Sequence, residues 1–148
     1  MNSHAADRRR RGAGVVSGAI LAGGLFCGAV SAAPRVSVEL NKLEPRESAC
    51  QAYLVVENKT DIAFGSLKLD LVVFDLDLIV ARRLAVETAP LRGGKTAVKV
   101  FPISEVRCDR ISRVLLNDVL TCRDDAGDRA DCQDLLEVSS RAAAPLVE

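Results

Sequence analysis

SLKLDLVVFD, the run from Ser66 to Asp75, alternates leucine or valine with other residues, and a period of two is what a strand with one buried face requires. It predicts Leu67, Leu69, Leu71 and Val73 inward with Lys68 and Asp70 outward. CQAYLVVEN repeats the device, with Cys50, Ala52, Leu54 and Val56 on one face and Gln51, Tyr53, Val55 and Glu57 on the other. RVSVEL (Arg35 to Leu40) alternates as well, and LIVARRLAVE (Leu78 to Glu87) follows so closely that Asp75 to Leu78 must be a hairpin connection. In KTAVKVFPI (Lys95 to Ile103), Lys95, Ala97 and Lys99 alternate with Thr96, Val98 and Val100. RISRVLLNDVLTC (Arg110 to Cys122) and DLLEVSS (Asp134 to Ser140) complete the set, although Ile111, Val114, Leu115 and Asp118 would also suit a short helix within 108–120. About seven strands, with turn signals near every ten residues, predict a two-sheet antiparallel sandwich.

The first 32 residues are set apart from this pattern. Arg8 to Arg11, an apolar stretch of small residues from Gly12 to Val30 and a small-residue exit have the order of a secretory signal, with cleavage expected after Ala32. The stretch is too rich in Gly and Ala for a good spanning helix. Phe26 before Cys27 argues against lipidation, and Gly-Ala-Gly after Arg10-Arg11 leaves the general and twin-arginine routes both open. The expected organisation is a cleaved signal at 1–32, a β-sandwich at 33–141 and a flexible tail at 142–148, in a periplasmic or secreted protein.

Processing changes the chemistry available. The signal takes with it four of the 20 basic residues and one of the 20 acidic ones, so residues 33–148 carry 16 and 19, a net charge of −3. That balance argues against nucleic acid and against an anionic membrane surface. His4 is the only histidine and Met1 the only methionine, and the chain has no tryptophan. A domain without histidine has no Ser-His-Asp or Cys-His pair, no typical zinc enzyme site and no histidine general base. Its aromatics, Tyr53, Phe64, Phe74 and Phe101, mostly lie in or beside strands and read as core rather than as a stacking platform.

Four cysteines remain, Cys50, Cys108, Cys122 and Cys132, with no CxxC pair among them. In an exported protein an even count reads as disulfides. The turn formers between Cys122 and Cys132 favour that pairing, leaving Cys50 with Cys108; the loop-entropy model assigns them about 3 and about 4 kcal/mol.

CQAYLVVENKTDIAFGSLKLDLVVFDLDLIVARRLAVETAPLRGGKTAVKVF resembles the small immunoglobulin-like modules of the FxLyD type found in exported bacterial proteins. There a strand ending in Asn leads through a loop to an "LxLxLxxFD" strand, a turn, a basic strand and a Gly-bearing loop. The chain as a whole, with ARRLAVE, CDRISRVLLNDVL and SSRA, is similar to short alphaproteobacterial exported proteins labelled "Tat pathway signal sequence domain". The resemblance implies an immunoglobulin-like antiparallel β-sandwich, and no assigned activity comes with it. Such modules commonly carry Gly after "FD.D", where this chain has Leu78.

The remaining motifs read as structure. Gly94-Lys95-Thr96 imitates the end of a phosphate loop, but Ala89 stands where the first glycine belongs and a strand follows. Asn58-Lys59-Thr60 matches a glycosylation sequon and also a polar loop, the simpler reading in a chain with a bacterial type of signal. The pairs Asp75/Asp77 and Asp124/Asp125 fall in turns, where water keeps a carboxylate ionised, and so make no acid–base pair. In CRDDAGDRADC, counting from Asp124 puts Arg129 at the sixth place, where a calcium loop needs Gly. The expectation is therefore a non-enzymatic accessory module, without cofactor or metal, that meets an envelope protein through sheet edges or end loops. Arg82, Arg83, Asp118, Asp124, Asp125 and Asp128 are its candidate surface residues. The alternative is a calcium- or small-ligand-binding module using Asp124, Asp125, Asp128 and Asp131.

Overall fold

The computed structural model describes residue 33 and residues 35–148; the expected signal segment lies outside the described residues. The elements are β1 (Val36–Arg46), β2 (Ala49–Asn58), β3 (Ser66–Asp75), β4 (Val80–Glu87), β5 (Thr96–Ser104), β6 (Ile111–Asp124), β7 (Gly127–Asp128), a one-turn helix α1 (Cys132–Leu135), β8 (Leu136–Ser140) and β9 (Leu146–Val147). One sheet has the order β5-β2-β1-β8; the other is β4-β3-β6-β7, with β9 also against β6. They form an immunoglobulin-like sandwich closed by two disulfides, Cys50–Cys108 and Cys122–Cys132.

The period-two faces meet in the core. Val36, Val38 and Leu40 of β1, Ala52, Leu54 and Val56 of β2, and Leu67, Leu69, Leu71 and Val73 of β3 are each at most 1% exposed. Fully burying one such side chain is worth about 1.5–3 kcal/mol, which is why a one-residue slip in register is so unfavourable. Asn58 ends β2 with its side chain buried: Nδ2 donates to the Ile62 and Leu91 carbonyls, and Oδ1 accepts from the Thr60 N–H and hydroxyl. The sequon tripeptide is thus a loop clamp. Gly93 packs against the same loop so closely that an added Cβ would lie 2.8 Å from the Thr60 carbonyl oxygen. Gly94-Lys95-Thr96 accordingly closes a β-loop, with the Gly94 N–H donating to the Asn58 carbonyl.

Several boundaries differ from the expectation. β1 runs on to Arg46 past a bulge at Asn41, because β2 continues to pair with it; Pro45 is tolerated there since β8 flanks β1 only from Val36 to Leu40. Only Cys108–Arg110 of the ambiguous segment is helical, a single 3-10 turn, and the rest is the long strand β6. Asp134 and Leu135 belong to α1 and not to a strand. The expected tail at 142–148 is built into the sandwich: Ala144 and Leu146 are buried, β9 pairs with Val114 and Leu115, and the Val114 N–H donates to the Pro145 carbonyl. Among the described residues, two strand pairings, β1 with β8 and β6 with β9, are parallel and the others antiparallel.

Candidate functional site

Large apolar side chains are left in water at one end of the sandwich, where β3 turns into β4. Leu76, Leu78, Ile79 and Val80 are 51%, 58%, 63% and 56% exposed. The turn is tightly made. The Asp75 N–H donates to the Ile79 carbonyl and the Leu78 N–H to the Asp75 carbonyl, while Asp75 Oδ1 accepts from the N–H groups of Asp77 and Ile79. This three-residue loop needs its last residue in the left-handed region, and Leu78 sits there with φ of 62°. A side chain other than glycine or asparagine is costly at such an angle. The tip therefore keeps leucine at a position where glycine would fold more easily, and leaves that leucine in water.

The candidate surface residues separate into three groups. On the outer face of the second sheet, Arg83 Nε and Nη2 donate to Asp70 Oδ1 and Oδ2, both at 2.8 Å, and Asn117 Nδ2 donates to Oδ2 at 2.7 Å. Asp70 does face outward, as its register requires, yet it is only 2% exposed because these two side chains cover it. The Arg83 guanidinium holds its carboxyl below the usual carboxylate range against the opposing effect of burial, and Asn117 adds to the lowering. Asn117 is the extra residue of a bulge in β6, which is how it reaches Asp70; the exposed Asp118 beside it pairs in register with Asp70. Arg82 takes the other face of β4, donates from Nε to the Ser104 carbonyl at 2.9 Å and pairs with Glu105.

At the opposite end, the acids of CRDDAGDRADC are largely matched by its own arginines. Arg129 donates to Asp124 at 2.8 Å and to Asp131 at 2.6 Å, and Arg123 pairs with Asp128 at 2.9 Å. Arg129, helped by the Ala126 N–H, holds the Asp124 carboxyl below its ordinary range. Asp125 is exposed and has no ion pair among the described residues. A cation entering this loop would have to displace Arg129 from two carboxylates, and among the described residues no group of three or more His, Cys, Asp or Glu is arranged to hold a metal ion. The pairs Asp75/Asp77 and Asp124/Asp125 have the same limitation, since Asp75 is engaged by backbone N–H groups and Asp124 by Arg129.

The apolar tip was absent from the sequence-based set of surface residues. Its signal is in the letters: in FDLDLIV, apolar residues continue straight through a turn, so some of them must lie beyond the reach of either sheet. Val98 and Val100 are a similar case. On the edge strand β5 the inward positions are Ala97, Lys99, Phe101 and Ile103, and the two valines are 58% and 46% exposed. Lys99 lies along the open edge and donates to the Ala89 carbonyl at 3.3 Å.

Fold and surface together define a small, disulfide-closed immunoglobulin-like sandwich with an apolar loop tip. No family model matches the chain, and no curated protein matches it. The solved structure of IrmA from Escherichia coli is similar, with a TM-score of 0.53 over 72% of this chain and 92% of that one, at 12% identity. At that identity the likeness is one of fold.

Proposed function

We propose that the chain is an exported, non-enzymatic module of the cell envelope that binds a protein partner, and that the β3–β4 tip is the principal contact. One observation carries this reading: Leu76, Leu78, Ile79 and Val80 stand in water together, and Leu78 does so from a backbone conformation that disfavours it. An apolar cluster kept at a conformational cost is explained by what it touches. Asp77 within the tip favours a protein over a lipid bilayer, because an exposed carboxylate can meet a donor in a protein socket but is expensive to carry into hydrocarbon. Export to the periplasm or medium is supported by the signal-like N-terminus and by the two disulfides, which persist in oxidising compartments. Among the described residues no helix is long and apolar enough to cross a membrane. The non-enzymatic reading is supported by the carboxyls: among the described residues, those with a displaced proton affinity are displaced downward, the wrong direction for a general acid at neutral pH.

The test is a photo-crosslinking residue at position 79 of the chain in its native host, with the same residue at exposed position 59 as the control. A discrete protein adduct at 79 that is absent at 59 is expected. Equal adducts at both positions, or none at 79, would overturn the proposal.

A further inference from the structure

β6 is flanked by β3 along nearly its whole length, but its other flank is only partly covered. There β9 lies beside Val114 and Leu115, and β7 beside Arg123 and Asp124. Between these two short strands, among the described residues, Leu116 to Thr121 has no strand neighbour on that side, and the Cys122 carbonyl accepts the Arg129 N–H. An open edge presents backbone donors and acceptors that another extended chain can pair with. The molecule answers one of them provisionally, since Asp118 Oδ1 accepts the Val119 N–H at 2.8 Å in an exposed position. A side chain is standing where the acceptor of a neighbouring strand would be.

This open stretch forms one wall of a cleft of about 480 Å³. Asp118, Val119, Leu120, Thr121 and Cys122 line one side; Asp128 to Ala130, Cys132 and Gln133 line the other. The Cys122–Cys132 disulfide joins the two walls, so the width is held covalently. Leu120, 45% exposed, supplies an apolar contact in the lining. Bulges at Asn117 and Leu120 interrupt the regular ladder, which limits a guest to a few paired residues; the stretch is about 20 Å long at ~3.3 Å per residue. The surroundings are acidic. From Asp118 to Asp134 the chain has six aspartates against two arginines.

We propose that this cleft receives a short, extended, basic peptide segment of a protein partner, added as a strand against Leu116 to Thr121. The proposal rests on the module being a protein binder and names a second contact for it. Unpaired backbone selects extended backbone, and the surplus of carboxylates selects lysine or arginine side chains. A second copy of this chain is disfavoured, because pairing β6 with β6 would bring two acidic clefts together.

The probe is a six-residue peptide of alternating lysine and valine, titrated into the oxidised, isotope-labelled chain. Saturable amide shifts confined to 116–122 and 128–133 are expected. The glutamate–valine counterpart should bind at least 10-fold more weakly. Of two lysine–valine peptides N-methylated on opposite alternate residues, one should retain binding and the other lose at least 10-fold. Leu120→Pro should abolish binding. Because that variant risks misfolding, Asp118→Lys with Asp128→Lys, both at exposed positions, should reverse the preference between the lysine and glutamate peptides. Shifts centred elsewhere, equal binding of the two N-methylated peptides, no dependence on charge, or self-association through these same amides would each overturn the proposal. The two readings fail separately: loss of the adduct at position 79 refutes the tip contact, whereas failure of the peptide series with that adduct intact refutes the cleft.

Discussion

Replacing Leu78 by alanine and, separately, by glycine isolates the backbone cost of the β3–β4 tip. Both variants remove the same leucine side chain, so its loss cancels when the two are compared. What remains is the conformation at 78, where φ is 62°. At an ordinary position alanine is the more stable of the pair by about 0.4–1 kcal/mol, because glycine has more freedom to lose on folding. In the left-handed region an L side chain costs about 1–2 kcal/mol. Subtracting the first effect from the second leaves glycine ahead of alanine by roughly 0.5–1 kcal/mol. For a domain of this size that is about 2–5 °C in Tm. Thermal and urea unfolding with intact disulfides would measure it. Leu78→Gly above Leu78→Ala, with both losing the crosslinked adduct at position 79, is the expected result. Alanine equal to or above glycine would show that position 78 carries no such cost, and the argument that the leucine is retained for contact would fall.

Asp70→Asn should cost about 1–2 kcal/mol at neutral pH, toward the low end for charge-assisted bonds because the Arg83 partner is 64% exposed. Its pH dependence has a definite sign: the folded-state pKa of Asp70 lies below the unfolded value, so its contribution is present above about pH 4 and lost as pH falls through the folded pKa. Urea titrations from pH 7 downward should accordingly show a flatter acid limb in the variant. Gly93→Ala forces a Cβ against the Thr60 carbonyl, where the closest approach is 2.8 Å, and should lower stability by about 1–3 kcal/mol in chemical denaturation. Removing the shorter disulfide with Cys122→Ser and Cys132→Ser should cost about 3 kcal/mol. The same double variant should weaken the lysine–valine peptide, which can be followed by the amide shifts at 116–122.

The parts of the fold that were legible in the sequence are those where burial is one-sided. β2 and β3 sit inside their sheets with one face fully covered, so each inward residue is apolar and the alternation states the register directly. β4 and β5 are edges, and their outer faces carry apolar residues as freely as polar ones, so Val98 and Val100 give no sign of which way they face. β9 is two residues long, and Ala-Pro-Leu-Val becomes a strand only because β6 leaves it a place to pair; no local pattern encodes that. The disulfide pairing followed from local sequence, since the nine residues between Cys122 and Cys132 are rich in turn formers and bring the two within reach, which leaves Cys50 with Cys108. Asp70 was legible in direction but not in environment. Its covering depends on Asn117 being displaced by a bulge and on Arg83 lying across the sheet from it, both consequences of long-range pairing.

The two disulfides also decide how the molecule answers tension. They enclose sequence separations of 58 and 10 residues, and those loops remain closed when the chain is drawn out from its two ends. At about 3.5 Å per residue, roughly 240 Å of contour is withheld. Only the segments before Cys50, between Cys108 and Cys122, and after Cys132 can lengthen, and the middle one is mostly β6. A pull on this domain therefore reaches a short, firm limit, with the β3–β4 tip held inside the locked loop while the β6 edge lies in the part that can yield.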